Sequence, residues 1–191
     1  MIFDEIYCDL VWPPYQLSST PNHFKVEENP YVITCRGFSK NLGCQSWRLG
    51  YIIAHSQTIS KLMSTHDPIY ISVPIQQHAV GRYLSENLED YKIHIEKESQ
   101  MMRNNLEVLS SALEKAFGWK LIRPRGSMYA MFYHNSNSDL EAVLLGLKRG
   151  IGVAPGSMFF QGNPLNSGLI RIHLGISEEK AKKIAELVLQ N

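Results

Sequence analysis

The sequence predicts an α/β segment followed by a smaller α+β layer, and three observations carry that expectation. Short aliphatic runs at residues 2–7, 31–35 and 49–54 lack clean apolar–polar alternation, as in a sheet covered on both faces. A helical pattern then runs without interruption over residues 88–117, a length that bridges two domains. Beyond it, short strand and helix patterns suggest an antiparallel sheet with helices on one face.

Taken in order, residues 2–7 (IFDEIY) read as a buried strand ending in polar residues. A buried strand needs neighbours on both edges, so the expectation is a fold that begins upstream of Met1. Residues 13–30, rich in Pro, Ser, Thr and Asn, read as an exposed loop. Strands at 31–35 and 49–54 flank a turn at 37–43. A helix over 56–66 takes Ser56 as its N-cap. An irregular connector at 67–73 precedes Pro74, which opens the next helix through Leu84. The long helix repeats Ile93, Met101, Leu106, Leu109 and Leu113 and meets its C-cap at Gly118.

After it come strands at 119–122 and 128–133 around the turn Pro124-Arg125-Gly126. A helix capped by Ser138 ends at Gly150, strands follow at 151–154 and 169–174, and Ser177 with Glu178 and Glu179 opens a final helix. The division falls between residues 1–90 and 91–191.

Composition narrows the function. A formal charge of +1, with 19 basic and 18 acidic residues spread along the chain, fits neither a nucleic-acid nor a membrane-surface protein. The apolar share of 44% is that of an ordinary globular chain, and no apolar run is as long as a membrane span. Cys8, Cys35 and Cys44 form no C-x-x-C pair, and the seven histidines show no i, i+4 spacing. Neither a metal site nor a disulfide framework is expected, and a reducing cytoplasm is the expected compartment.

Chemistry concentrates in three polar groups placed at ends of expected strands: Asp4 with Tyr7, Ser39-Lys40 with Arg48, and Arg171. A lysine alone after a strand is ordinarily a solvated surface residue. Here residues 37–51, GFSKNLGCQSWRLGY, resemble the lysine signature of class I/II aminotransferases, S-x-S-K followed by G-x-R-x-G. Asp4-Glu5-Ile6-Tyr7 resembles the family's Asp-x-x-Tyr pair. The turn at 124–129 (PRGSMY), the segment 152–159 (GVAPGSMF) and Arg171-Ile172-His173-Leu174 resemble its later landmarks, in order and over nearly the whole chain.

The resemblance implies the C-terminal part of the large domain of a fold-type-I transferase dependent on pyridoxal 5'-phosphate, followed by a small α+β C-terminal domain. It implies that Lys40 forms the Schiff base with the cofactor and moves the proton at the substrate α-carbon. Arg48 and Ser39 would hold the phosphate, and Asp4 would keep the pyridine nitrogen protonated. Tyr7 would bond the phenolic oxygen, and Arg171 the substrate α-carboxylate. Glu5 points away from Asp4 on a strand, so only one of the two serves. Gly37 stands where the family carries a Ser or Thr on the phosphate, one contact fewer. Trp47 and Cys44 are expected to pack rather than react, and residues 72–77 resemble the segment that approaches the partner's site in family homodimers.

The implied reaction passes an amino group between an L-amino acid and a 2-oxo acid. The family's upstream phosphate loop, stacking aromatic and asparagine have no counterpart in the sequence, so a truncated chain with weak cofactor retention is expected. Two alternatives stand beside it. One is a carbon–sulfur lyase or aminocyclopropane-carboxylate synthase-like enzyme, suggested by DEIYCDLVW; the other is a folded, catalytically inactive fragment.

Overall fold

The computed structural model describes residues 1–66, 74–162 and 164–190. The expected connector at 67–73, and with it the first two residues of the 72–77 segment, lies outside the described residues. The chain divides into two compact units, Met1–Ile95 and Glu96–Asn191.

The first unit is built on three strands, β1 (Ile2–Asp4), β2 (Ile33–Gly37) and β3 (Gly50–Ala54), in the order β1-β2-β3. β1 runs parallel to β2, with Ile2 opposite Ile33 and Asp4 opposite Cys35. β3 returns antiparallel, with Gly37 opposite Gly50 and Ile33 opposite Ala54. The ends of β1 and β2 and the start of β3 therefore share one end of the sheet.

β1 stops three residues earlier than its aliphatic run suggests. The Asp4 carboxylate accepts the Ile6 amide at 3.1 Å, an Asx turn that pulls the chain out of the sheet. Cys8 N–H then closes on the Glu5 carbonyl at 3.0 Å, and a 3₁₀ turn follows at Cys8–Leu10. At the far side of the hairpin, a Cβ on Gly50 would lie 2.9 Å from the Arg36 carbonyl oxygen. Only glycine lets the backbones of β2 and β3 close that tightly.

Two further expectations are corrected here. The sheet is not covered on both faces within this unit. Ile2 is 74% exposed, and Ile2, Ile33, Tyr51, Ile52, Leu62 and Met63 line an open apolar groove. Nor is the 13–30 segment uniformly exposed. It carries 3₁₀ turns at Thr20–Asn22 and Val26–Glu28, and Ser19 and Thr20 are buried because their polar groups bond to Glu5.

Helix α1 (Ser56–His66) starts at Ser56 rather than being capped by it. His55 Nδ1 accepts the Gln57 amide at 3.1 Å, while Ser56 Oγ donates to Glu27. Helix α2 (Pro74–Glu86) and the long α3 (Leu88–Phe117) follow, and the division between the units falls inside α3.

The second unit holds β4 (Lys120–Ile122), β5 (Tyr129–Tyr133), α4 (Asp139–Lys148), β6 (Ala154–Pro155), β7 (Leu169–His173) and α5 (Glu178–Gln190). Its strands lie in the order β4-β5-β7-β6, every neighbouring pair antiparallel. Alternation sets the faces: Ala130 and Phe132 on β5 and Ile170 and Ile172 on β7 are buried, their neighbours less so. Met102, Leu106, Leu109 and Leu113 give α3 a buried stripe at helical spacing, each side chain contributing about 1.5–3 kcal/mol. Buried among them, Asn105 donates to the carbonyls of Leu174 and Ile176 at 2.9 and 2.7 Å, just beyond β7.

The helix ends follow their local chemistry. Gly118, at φ +70°, closes α3 through its amide to the Glu114 carbonyl, and Ser138 Oγ accepts from Glu141 at the start of α4. Ser177 Oγ accepts from Lys180 at the start of α5. β6 starts at Ala154 rather than at Ile151, because the Ile151 amide bonds the Gly146 carbonyl and serves to close α4. Among the described residues, no helix is long and apolar enough to cross a membrane.

Candidate active site

Five of the six expected site residues come together at the shared end of the three-stranded sheet. Asp4 is the last residue of β1, and Tyr7 lies in the turn after it, outside the strand in which it was expected. Ser39 and Lys40 lie two and three residues beyond β2, and Arg48 two residues before β3. Two parallel strand ends side by side are where an α/β sheet exposes its loops to a ligand.

The turn that carries Lys40 is closed by the Leu42 amide on the Phe38 carbonyl at 3.2 Å. Cys44 Sγ donates to that same carbonyl at 3.3 Å, and burial pushes its thiol pKa up, so it stays a protonated filler. Phe38 stacks on Tyr51 at 5.4 Å between centroids. Lys40 Nζ stands 6.0 Å from the centroid of Tyr7, at the outer edge of a cation–π contact.

Arg48 adopts a left-handed conformation, φ 55° and ψ 40°, which an ordinary side chain tolerates at a cost. Its guanidinium is exposed and spends one N–H on the Gln45 carbonyl at 3.2 Å. Trp47, expected to pack, is 40% exposed instead, turned outward by the 3₁₀ turn at Gln45–Trp47. Among the described residues, Asp4, Lys40 and Arg48 have no ion-pair partner. The cluster can therefore offer two unneutralised cations to an anion and one carboxylate to a cationic group.

Glu5 is occupied elsewhere. It accepts Ser19 Oγ at 3.0 Å, Thr20 N and Oγ1 at 2.7 and 2.6 Å, and Arg36 Nη2 at 2.9 Å. Burial alone would raise its pKa, but these donors outweigh it and lower the group to about 2. A second network, unsignalled in the sequence, joins Asp9, Asn41, Tyr91 and His94 around the residue after Lys40. No local spacing could have revealed it, since Asp9 and Tyr91 lie 82 positions apart.

Arg171 belongs to the second unit and sits at the centre of β7 rather than at an end of it; the strand runs on to His173 because β5 pairs with it that far. Its guanidinium carbon lies 4.1 Å from the ring centroids of both Tyr129 and Phe159. No carboxylate stands within ion-pair distance of it among the described residues. Both rings pack against the guanidinium, which with no carboxylate paired to it among the described residues can take an anion. The turn that brings Phe159 there depends on Gly156, whose Cβ would fall 2.5 Å from Ser167 Oγ and 2.7 Å from the Leu169 carbonyl oxygen. His173 lies edge-on to Tyr129 at 5.2 Å between ring centroids.

Comparison with known proteins places the chain in a family. The family model for aminotransferase class I and II matches residues 1–188. Tyrosine aminotransferase of Caenorhabditis elegans is 28% identical over 140 residues, covering 69% of this chain and 28% of that protein. The (5-formylfuran-3-yl)methyl phosphate transaminase of Methanocaldococcus jannaschii is 26% identical over 189 residues, covering 98% of this chain and 48% of the relative. Among solved structures, a double mutant of Thermus thermophilus aspartate aminotransferase superposes with a TM-score of 0.82 at 25% identity, over 99% of this chain and 47% of that one. The chain thus spans half or less of the length of these relatives. With the family pattern matched from residue 1 to residue 188 and an α/β fold that superposes on fold-type-I enzymes, the chain belongs to the class I and II aminotransferases.

Proposed function

We propose that this chain supplies catalytic machinery for a pyridoxal phosphate-dependent aminotransferase that passes an amino group between an L-amino acid and a 2-oxo acid. The observation that carries the reading is the grouping of Asp4, Tyr7, Ser39, Lys40 and Arg48 at one end of one sheet. The donor set fits the cofactor: two cations and a hydroxyl for a phosphate, an amine for an aldehyde, and a carboxylate for a pyridinium nitrogen. Its transaminase relatives favour this reading over a carbon–sulfur lyase.

In this reading Ser39 and Arg48 hold the phosphate, Asp4 keeps the ring nitrogen protonated, and Tyr7 donates to the phenolic oxygen. When bound, pyridoxal phosphate supplies an electron-withdrawing ring that stabilises negative charge at the substrate α-carbon. Lys40 would be the covalent anchor, and once the incoming substrate amine has displaced it from that bond, its freed ε-amine would take and return the α-carbon proton. Arg171, held against the rings of Tyr129 and Phe159, takes the substrate α-carboxylate. Residues 1–90 would be the C-terminal portion of the large cofactor-binding domain, and 91–191 the bridging helix and small domain. The working form would be a homodimer.

Mixing the chain with pyridoxal phosphate is expected to produce a visible absorbance band that Lys40→Ala loses, and a panel of L-amino acids with a 2-oxo acid acceptor should yield a new 2-oxo acid. A band that survives in Lys40→Ala would sink the assignment of Lys40. Arg171→Lys is expected to raise KM for the amino acid about 10- to 100-fold, the loss of a charge-assisted fork contact, with a smaller effect on kcat. An unchanged KM would remove Arg171 from the site.

A further inference from the structure

The residue after Lys40 is held more firmly than a surface hairpin requires. Asn41 is buried, and its amide nitrogen donates to Asp9 Oδ2 at 2.6 Å and to the Tyr91 hydroxyl oxygen at 2.9 Å. Tyr91 in turn donates to the same Asp9 oxygen at 2.7 Å, closing a three-membered ring of hydrogen bonds. His94, one turn further along α3, donates its Nε2–H to the Asn41 main-chain carbonyl at 3.0 Å. Both the side chain and the backbone of Asn41 are fixed, from two different elements.

The chemistry of the ring allows one arrangement only. Asp9 is an acceptor, so the Asn41 amide must present its nitrogen; a flipped amide would set oxygen against carboxylate. The consequence is that Asn41 Oδ1 is buried without a partner, which costs stability. A cluster that leaves a buried acceptor unsatisfied is better explained by what it orients than by what it stabilises. What it orients lies one residue away on the Asn41 side and two on the Asp9 side. Asp9 lies in the 3₁₀ turn that Tyr7 opens, and Asn41 follows Lys40, so the ring ties the turn of the phenol to the turn of the amine.

We propose that Asp9, Asn41, Tyr91 and His94 form a positioning clamp that fixes the Lys40 turn against Tyr7 and so sets the reach and direction of the Lys40 amine. The hydrogen bonds of these four join them to one another and to the Asn41 carbonyl rather than to Lys40 Nζ, so they act through the backbone beside it. The proposal rests on Lys40 being the cofactor-carrying lysine.

The test uses the intact chain with pyridoxal phosphate as the probe and brief borohydride reduction, followed by mass spectrometry of the peptides that carry the reduced adduct. In the wild type, Lys40 is expected to be trapped faster than the exposed Lys61 and Lys115. Tyr91→Phe should slow trapping at Lys40 about tenfold, the scale of one hydrogen bond to a carboxylate, and leave Lys61 and Lys115 unchanged. His94→Ala should do the same, and His94→Gln, which restores an N–H donor, should recover most of the rate. Folded Tyr91→Phe and His94→Ala that trap Lys40 at the wild-type rate would overturn the clamp while leaving the role of Lys40 intact. If Tyr91→Phe does not fold, equal trapping in His94→Ala and His94→Gln overturns it instead. A wild type that traps Lys40 no faster than Lys61 would remove both the clamp and the role of Lys40.

Discussion

Asp139→Ala is expected to destabilise the second unit by about 3–5 kcal/mol, the scale of breaking a buried charged network by removing one partner. Asp139 is 1% exposed and accepts five hydrogen bonds: from Ser157 N at 2.7 Å, Ser167 N at 2.9 Å, Ser167 Oγ at 2.6 Å, Gly168 N at 3.2 Å and His134 Nε2 at 2.9 Å. Burial alone would raise its pKa; the donations of Ser167, His134 and the backbone amides outweigh burial and hold it well below the usual carboxylate range. Alanine would strand those amides and a fully buried imidazole together.

Asp139→Asn keeps the shape but turns an acceptor into a donor on one side, so its cost should be intermediate. Segment-resolved hydrogen exchange in urea measures both, and an Asp139→Ala chain with native protection on β5 and β7 would contradict the argument. The effect reaches function through one short path. Asp139 holds Ser157, and the 3₁₀ turn at Gly156–Phe159 carries the Phe159 ring that faces Arg171. Loosening that turn should weaken the aromatic clamp on the guanidinium even before the unit unfolds.

How much of this could be read from sequence depends on the range of the interaction. The bounds of α3 and the Gly118 cap were legible because helical periodicity and a left-handed glycine are local signals. The grouping of Lys40 and Arg48 was legible for the same reason, since one hairpin holds both and Gly50 fixes its closure. The end of β1 was not: Ile6 extends the aliphatic run, but a single Asx turn from Asp4 overrides it. The site's supports were invisible for a different cause. Glu5 reaches Arg36 across 31 positions and Tyr91 reaches Asp9 across 82, and no pattern in one chain announces such partners. The same holds for Arg171, whose strand was evident but whose clamping rings come from two separate segments, at residues 129 and 159.

Those supports share a division of labour that bears on how the site behaves under stress. Among the described residues, Asp4, Lys40 and Arg48 at the sheet end are exposed or half-buried and have no ion-pair partner, so neighbouring networks carry much of their positioning. Asp4 is followed at once by Glu5, whose network ties the start of the site to Ser19, Thr20 and Arg36. Tyr7 is followed two positions later by Asp9, and Lys40 directly by Asn41, so Asp4, Tyr7 and Lys40 each have a bonded anchor within two positions. Loss of an anchor should therefore disturb the reactive residue beside it, and the Glu5 anchor adds a dependence on pH.

Glu5→Gln is expected to lower stability by about 3 kcal/mol at pH 7, and by much less near pH 2.5. The carboxyl is only 9% exposed, and its pKa falls from an ordinary 4.5 to about 2 in the folded chain. Between those values the unfolded form binds the proton and the folded form does not, so stability rises with pH across that window. The contribution is complete above about 4.5, declines as the pH falls toward 2, and is absent below it. The gap between the two values corresponds to about 3 kcal/mol, which glutamine forfeits at neutral pH while roughly keeping the shape of the side chain. Urea midpoints for both chains at pH 7, 4 and 2.5 test this, because other titrating groups are common to the two and cancel in the difference. A difference that stays constant across the three pH values would mean that Glu5 acts by shape alone. A difference that closes as the pH falls would assign the anchor to its charge, and should be matched by loosened exchange at the Ile6 amide on Asp4, the first bond of the site.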